Sequence, residues 1–265
     1  MKTERFEIKN RHGLKLVIQV DTPDDAKNLA FVAHGQSGSI REPHIQTFAE
    51  AYLENDFRVV RFDATNSLGE SEGELINVTY TSYIEDLEDV IAWAEKQPWF
   101  IEPFALCGHS MGGQSASWYA EHNPERVMCL AAMAPVVNYE LNTKHFDPQY
   151  LKEWQQNGYA DLPSRSKPGL IKRLGWGVQE SLKKYDILKN AGKLSMPVLD
   201  VVGEQDINCP PDDQRVFIEA VGSKNKKLII IKGVQHSYRA PYGYDESKLA
   251  ELKETISSWL CDITS

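Results

Sequence analysis

In Gly108-His109-Ser110-Met111-Gly112-Gly113, a serine stands between glycines two residues away on either side. The hexapeptide directly follows the apolar run Phe104-Ala105-Leu106-Cys107 and directly precedes a helix-like stretch. A serine on a turn from a buried strand into a helix takes a strained backbone, and its neighbours two residues off must be tiny. The turn lifts the hydroxyl above the sheet and sets the N–H groups of the helix start beside it. That hydroxyl becomes a nucleophile only when a base removes its proton. The candidate base is His236, in Gly233-Val234-Gln235-His236-Ser237, which follows the apolar run 227–232 and precedes the last helix-like segment. Such an imidazole needs a carboxylate on its Nδ1–H. Residues 197–206 offer two, Asp206 after a glycine turn and Asp200 inside an apolar run. Asp206 is preferred, because a carboxylate within a buried strand costs several kcal/mol unless paired, and loop ends carry reactive groups. Asp200 stays as the rival. Asp186, Asp212 and Asp213 read as solvated.

Attack on a carbonyl carbon creates an oxyanion, and two pre-aimed N–H donors must meet it. The backbone N–H of Met111, next after the serine, supplies one. The second is expected from His34-Gly35-Gln36-Ser37-Gly38-Ser39, where the glycines let the Gln36 N–H approach closely. Five aromatic residues, Tyr139, Tyr150, Trp154, Tyr159 and Trp176, gather in one polar stretch. They are candidates for lining an acyl or aryl pocket, and they equally suit a small core of their own. The remaining histidines, His12, His44, His122 and His145, fall in turns, at helix ends or in that polar stretch.

Positioning these groups requires a strand–helix scaffold, and the hydropathy pattern supplies one. Residues 15–21 alternate like a half-buried strand, whereas 28–34, 58–64, 104–107, 127–134, 198–202 and 227–232 are short, nearly unbroken apolar runs. Runs of that kind are strands covered on both faces. Between them, apolar residues recur at helical spacing over 82–97, with Ser82 and Glu85 as a capping box and Pro98 as the stop. Leu249, Leu252, Ile256, Trp259 and Leu260 mark a final helix with one apolar stripe. The alternation predicts an α/β fold, a mostly parallel sheet with helices on both faces. Residues 138–192 break the rhythm with no buried strand, and read as a cap inserted into a single domain spanning 1–265.

The chain has 265 residues and a formal charge of −9, with 42% hydrophobic and 25% charged residues. That length supports a core without disulfides or metals. The acidic balance, with no basic run, excludes nucleic acid as a first partner. No stretch reaches the ~18 apolar residues of a membrane span, and the first residues carry no hydrophobic signal. Cys107, Cys129, Cys209 and Cys261 are scattered, with no zinc spacing, and fit a reducing cytoplasm. No metal, dinucleotide or other cofactor is implied. Pairing with a second copy of the chain is left open.

Taken together, HGQSGS at 34–39, GHSMGG at 108–113, Gly203-Glu204-Gln205-Asp206 and the late His236 resemble the α/β-hydrolase superfamily of serine hydrolases, in its chain order. The resemblance runs from about residue 15 to the last helix. Residues 62–73 resemble the family's Asp-x-x-Gly-x-Gly-x-Ser loop, with Asn66 at the first glycine and one extra residue. The cap's position and size, with HFDPQYLKEWQQNGY at 145–159, are similar to bacterial feruloyl and cinnamoyl esterases. The resemblance implies an eight-stranded α/β-hydrolase sheet and hydrolysis of small-molecule carboxylic esters, aryl or short acyl, through an acyl-enzyme. It gives Ser110, His236 and Asp206 the catalytic roles, with the Gln36 and Met111 amides as the oxyanion hole. The same triad would also serve a thioesterase, an aminopeptidase-like amidase or an acyltransferase, and a homologue that only binds ligand is a further alternative.

Overall fold

The computed structural model describes residues 1–164, 169–240 and 243–264. Residues 165–168, part of the expected cap, lie outside them. The strands of the chain are β1 (Lys2–Lys9), β2 (Lys15–Thr22), β3 (Asn28–Ala33), β4 (Phe57–Asp63), β5 (Phe104–His109), β6 (Val127–Met133), β7 (Tyr159–Pro163), β8 (Ile171–Gly175), β9 (Val198–Gly203), β10 (Lys226–Ile231), β11 (Arg239–Ala240) and β12 (Gly243–Tyr244). The helices are α1 (Pro43–Leu53), α2 (Tyr80–Ala94), α3 (Met111–His122), α4 (Tyr139–Thr143), α5 (Pro148–Asn157), α6 (Gly177–Leu182), α7 (Pro211–Ala220) and α8 (Glu246–Thr264).

Eight strands form one sheet in the order β1-β2-β4-β3-β5-β6-β9-β10. Only the β1–β2 and β2–β4 pairs are antiparallel; the other pairings run parallel. The apolar runs explain why. Side chains alternate across a strand, so a run apolar at every position must be covered on both sides. Leu29, Phe31 and Ala33 of β3 join Leu106 of β5 in one buried cluster with α2 and α3. Ala30 and Val32 join Ala105 and Cys107 in a second, against α1 and α8. Every parallel strand therefore ends at the same edge, where β3, β5, β9 and β10 release the loops that carry the candidate residues.

The structure adds one strand of the eight-stranded sheet to those expected and corrects two local readings. Residues 2–9 form an edge strand whose alternate residues are only half-buried, so it lacks the continuous apolar run of its neighbours. Helix α2 begins at Tyr80, capped by Thr79, which accepts from the Ser82 N–H at 3.0 Å while Ser82 answers the Thr79 N–H at 3.2 Å. Ser82 is thus the N3 residue that closes the capping box rather than the N-cap that opens it. Asp213 is buried, not solvated, and receives Lys144 at 2.6 Å and His145 at 2.8 Å.

Between β6 and β9 the chain forms α4, α5, the hairpin β7–β8 and α6. Trp154, Leu174 and Trp176 are buried in this insertion, and the Trp154 Nε1–H donates to the Leu174 carbonyl at 3.0 Å. Ser181 accepts from the Tyr80 N–H at 3.0 Å, and the Tyr185 carbonyl accepts from Gln114 of α3 at 2.9 Å. Gly175 passes so close to the turn Leu75–Asn77 that an added Cβ would lie 2.3 Å from the Ile76 carbonyl oxygen.

Candidate active site

Ser110 sits between β5 and α3 with φ 56 and ψ −116. For a residue with a Cβ this conformation costs ~1–3 kcal/mol, and surrounding contacts must hold it. Its N–H donates to the Met133 carbonyl at 3.0 Å, and its own carbonyl accepts from Gln114 at 2.9 Å and Val136 at 3.3 Å. The flanking glycines are a steric necessity. A Cβ on Gly108 would fall 2.2 Å from the Gly112 carbonyl oxygen, and one on Gly112 would fall 2.5 Å from those of Ala33 and His34. The close approach at Gly112 brings the start of α3 against the end of β3.

That approach places the loop after β3 beside the serine. A Cβ on Gly35 would lie 3.2 Å from the Ser110 Cβ. The Gly35 carbonyl faces the other way, accepting from His34 Nδ1–H at 2.8 Å, Tyr83 O–H at 3.1 Å and Gly38 N–H at 3.1 Å. His34 Nε2 accepts the Ala64 N–H at 2.9 Å, which fixes the tautomer, and burial holds its pKa below the usual histidine range. In a trans peptide the N–H points opposite the C=O. With its carbonyl tied inward, the Gly35–Gln36 unit turns the Gln36 N–H away from His34 and Tyr83. Met111 opens α3, so its N–H has no acceptor within the helix.

His236 Nδ1 lies 2.7 Å from Asp206 Oδ2. Asp206 Oδ1 accepts the N–H groups of Asn208 at 2.8 Å and Cys209 at 2.9 Å. Burial alone would raise the Asp206 carboxyl, but the His236 charge and these hydrogen bonds outweigh it and hold it below the usual range. An ionised Asp206 requires the hydrogen on Nδ1, which leaves the His236 Nε2 lone pair free to take a proton. Gly203 permits the junction, since a Cβ there would lie 2.4 Å from the Val234 carbonyl oxygen of the histidine loop. The rival, Asp200, is buried in β9 and accepts the Ala134 N–H at 3.0 Å, with its second oxygen unpartnered among the described residues. Burial pushes its carboxyl well above the usual range, which favours the neutral form over a carboxylate able to pair with an imidazole. Of the two carboxylates, the imidazole meets Asp206.

Among the described residues the Ser110 hydroxyl makes no hydrogen bond to His236, whose Nδ1 faces Asp206 instead; the hydroxyl lies close enough to the Cys209 thiol to lower that thiol's pKa slightly. Burial, with Asp206 and Asp213 nearby, pushes the thiol up and keeps it as S–H. The cysteine thus contacts both the acid's loop and the serine, a link invisible in sequence because 99 positions of chain separate the two.

The five aromatic candidates divide. Trp154 and Trp176 pack on each other with ring centroids 5.9 Å apart, and Tyr150 lies 6.0 Å from Trp154. The Tyr150 hydroxyl and Trp176 Nε1–H are buried without partners among the described residues. Tyr159 is 39% exposed beneath the Arg173 guanidinium, and Tyr139 lies under the Lys183 ammonium. Nothing in these contacts joins any of the five to Ser110 directly. Among the described residues no cluster of three His, Cys, Asp or Glu side chains could hold a metal ion, and no helix is long and apolar enough to cross a membrane.

Residues 31–190, from β3 through the insertion, match the profile of the alpha/beta hydrolase fold family. The chain belongs to that family. This alpha/beta hydrolase is 26% identical over 247 residues to an uncharacterized 31.7 kDa protein of the traX-finO intergenic region of Escherichia coli, covering 82% of this chain and 85% of the relative. It is 23% identical over 282 aligned positions to a monoacylglycerol lipase of Mycolicibacterium smegmatis, covering 94% and 93%. Est1E from Butyrivibrio proteoclasticus, solved with ferulic acid bound, superposes on the hydrolase with a TM-score of 0.80 at 22% identity, covering 98% of this chain and 99% of Est1E. The family pattern also explains the loop after β4. Asn66, at the position of the first glycine, takes φ 57, a left-handed conformation that asparagine tolerates better than most residues with a Cβ.

Proposed function

We propose that this hydrolase cleaves carboxylic esters through an acyl-enzyme formed on Ser110. The contact that carries the reading is His236 Nδ1 to Asp206 at 2.7 Å, at the same sheet edge as a serine held in a strained turn. In the reaction a rotation about the Ser110 Cα–Cβ bond brings the hydroxyl to His236. Hydrogen bonds of this kind tighten when substrate arrives. His236 Nε2 takes the Ser110 proton as Oγ bonds to the ester carbon, and the Gln36 and Met111 N–H groups receive the oxyanion. Asp206 steadies the imidazolium, which then gives its proton to the departing alcohol. Water repeats the sequence and frees the acid.

Residues 138–192 act in this proposal as a cap that selects the acyl group. Ester hydrolysis is supported by the lipase among the relatives, and an aryl acyl group by the ferulic acid held by Est1E. Two buried donors in the cap's aromatic cluster, Tyr150 O–H and Trp176 Nε1–H, without partners among the described residues, suit the oxygens of a substituted aromatic acid. The test is Ser110→Ala assayed on nitrophenyl acetate and on methyl ferulate, beside thioester and amide analogues. The variant is expected to lose ~10⁶ in kcat, as removal of a triad serine does elsewhere. Turnover like the parent's would remove Ser110 from the reaction.

A further inference from the structure

The ester mechanism leaves His109 without a part, although it stands next to the nucleophile and is 2% exposed. Its Nε2 lies 2.8 Å from the backbone carbonyl oxygen of His236. A carbonyl only accepts, so Nε2 carries the hydrogen and Nδ1 is a bare lone pair, buried and unpartnered among the described residues. The ring is wedged. Its centroid lies 4.6 Å from that of His236, 4.5 Å from that of His44 and 5.9 Å from that of Tyr238. A Cβ on Gly35 would come within 2.9 Å of Nδ1, so the oxyanion loop closes the remaining side.

We infer that His109 is a positioning residue for His236, its Nε2–H anchoring the base's backbone carbonyl while its ring backs the base's ring. Asp206 then fixes the imidazole by its edge, and His109 fixes the chain that bears it. Because His109 and Ser110 are consecutive, the anchor ties the base to the nucleophile's own turn. It sets their separation independently of the acid. Burial, followed by the charge of His236, lowers the His109 pKa to about 3. The ring therefore stays neutral and places no second positive charge beside the imidazolium formed in each turnover. An acceptor opposite Nδ1 would favour the other tautomer, and Nδ1 has no hydrogen-bond partner among the described residues.

The kinetic arm of the test rests on the esterase reading; a spectroscopic arm does not. His109→Phe keeps an aromatic ring and removes the donor, and His109→Gln restores an N–H donor. The phenylalanine variant is expected to lose ~10²-fold in kcat at nearly unchanged KM, the scale of a misplaced catalytic group. The glutamine variant should recover most of that loss. In proton NMR, the downfield Nδ1–H resonance of His236, identified by its loss in Asp206→Asn, should persist in the parent and in His109→Gln and broaden away in His109→Phe. If His109→Phe does not fold, His109→Met is the donor-free partner of similar length to glutamine. A resonance intact in the donor-free variant, or a glutamine variant no better than it, overturns the inference. If the parent hydrolyses no ester yet the resonance behaves as described, the esterase reading falls and the positioning role stands.

Discussion

Residues 104–122 and residues 138–192 both contribute to the core beside Met111, but they reach their shapes by different means. In the first, backbone meets backbone. Gly108 and Gly112 touch carbonyl groups that no side chain could approach, and Ser110 is held by three main-chain hydrogen bonds. In the second, side chains set the form: Phe146, Tyr150, Trp154 and Trp176 make an aromatic cluster, and Lys144 and His145 tie the segment to Asp213. A turn fixed by backbone sterics admits few alternatives, so it can keep reacting groups in register. A segment fixed by interchangeable apolar contacts can vary without disturbing the turn. Under the proposed function, this contrast puts bond-breaking in the core and choice of substrate in the insertion.

The sharpest way to break that division is at the acid. Asp206→Asn should lower kcat ~10⁴-fold, because the wrong tautomer of His236 is then favoured. Asp200→Asn should leave it within ~10-fold, since an amide is close in shape to a neutral carboxylic acid and still accepts the Ala134 N–H. Steady-state kinetics on nitrophenyl acetate decide between them, and the reverse ranking would return the role to Asp200. In the insertion, Trp154→Ala should cost ~3–5 kcal/mol where it packs. Its kcat on the acetate should stay within a few-fold of the parent, while KM for a feruloyl ester rises. A collapse of acetate turnover in a folded variant would show that the insertion also holds the chemistry.

The smallest effect concerns Glu121, at the far end of α3, buried with both oxygens unpartnered among the described residues. Burial, then Asp186, pushes its carboxyl up to about 9. The folded state therefore holds a proton that the unfolded state releases near pH 4.5, and stability falls as pH rises between those values. Glu121→Gln should raise Tm at pH 8–9, by ~2–4 °C for each kcal/mol regained, and give no gain at pH 4. Thermal scans at the two pH values test this, and an equal shift at both would assign the effect to packing instead.

Much of the fold was legible because parallel strands, covered on both faces, announce themselves as apolar runs. The edge strand β1 was not, since one half-buried face gives only weak alternation. The hairpin β7–β8 is partly exposed and was masked by its polar residues and glycines. At the candidate site, the strained turn at Ser110 and the pairing of His236 with Asp206 could be read from motif and order, because such a turn and two strand-end loops impose local composition. The contributions of His34, Tyr83, His109 and Cys209 could not. His34 and His109 lie inside legible motifs, but their hydrogen bonds go to carbonyls and amides that are defined only after the strands align. Tyr83 looks like any core residue of a helix, and Cys209 like any buried thiol.

The central claim, that Ser110 is the activated nucleophile, is tested most directly by covalent trapping. The folded chain is treated with a fluorophosphonate, and the product is followed by intact mass and by peptide mapping. One adduct per chain, on the peptide bearing residue 110 and absent after prior denaturation, is the predicted result. Continued ester hydrolysis with no adduct, or an adduct on any other residue, would contradict it.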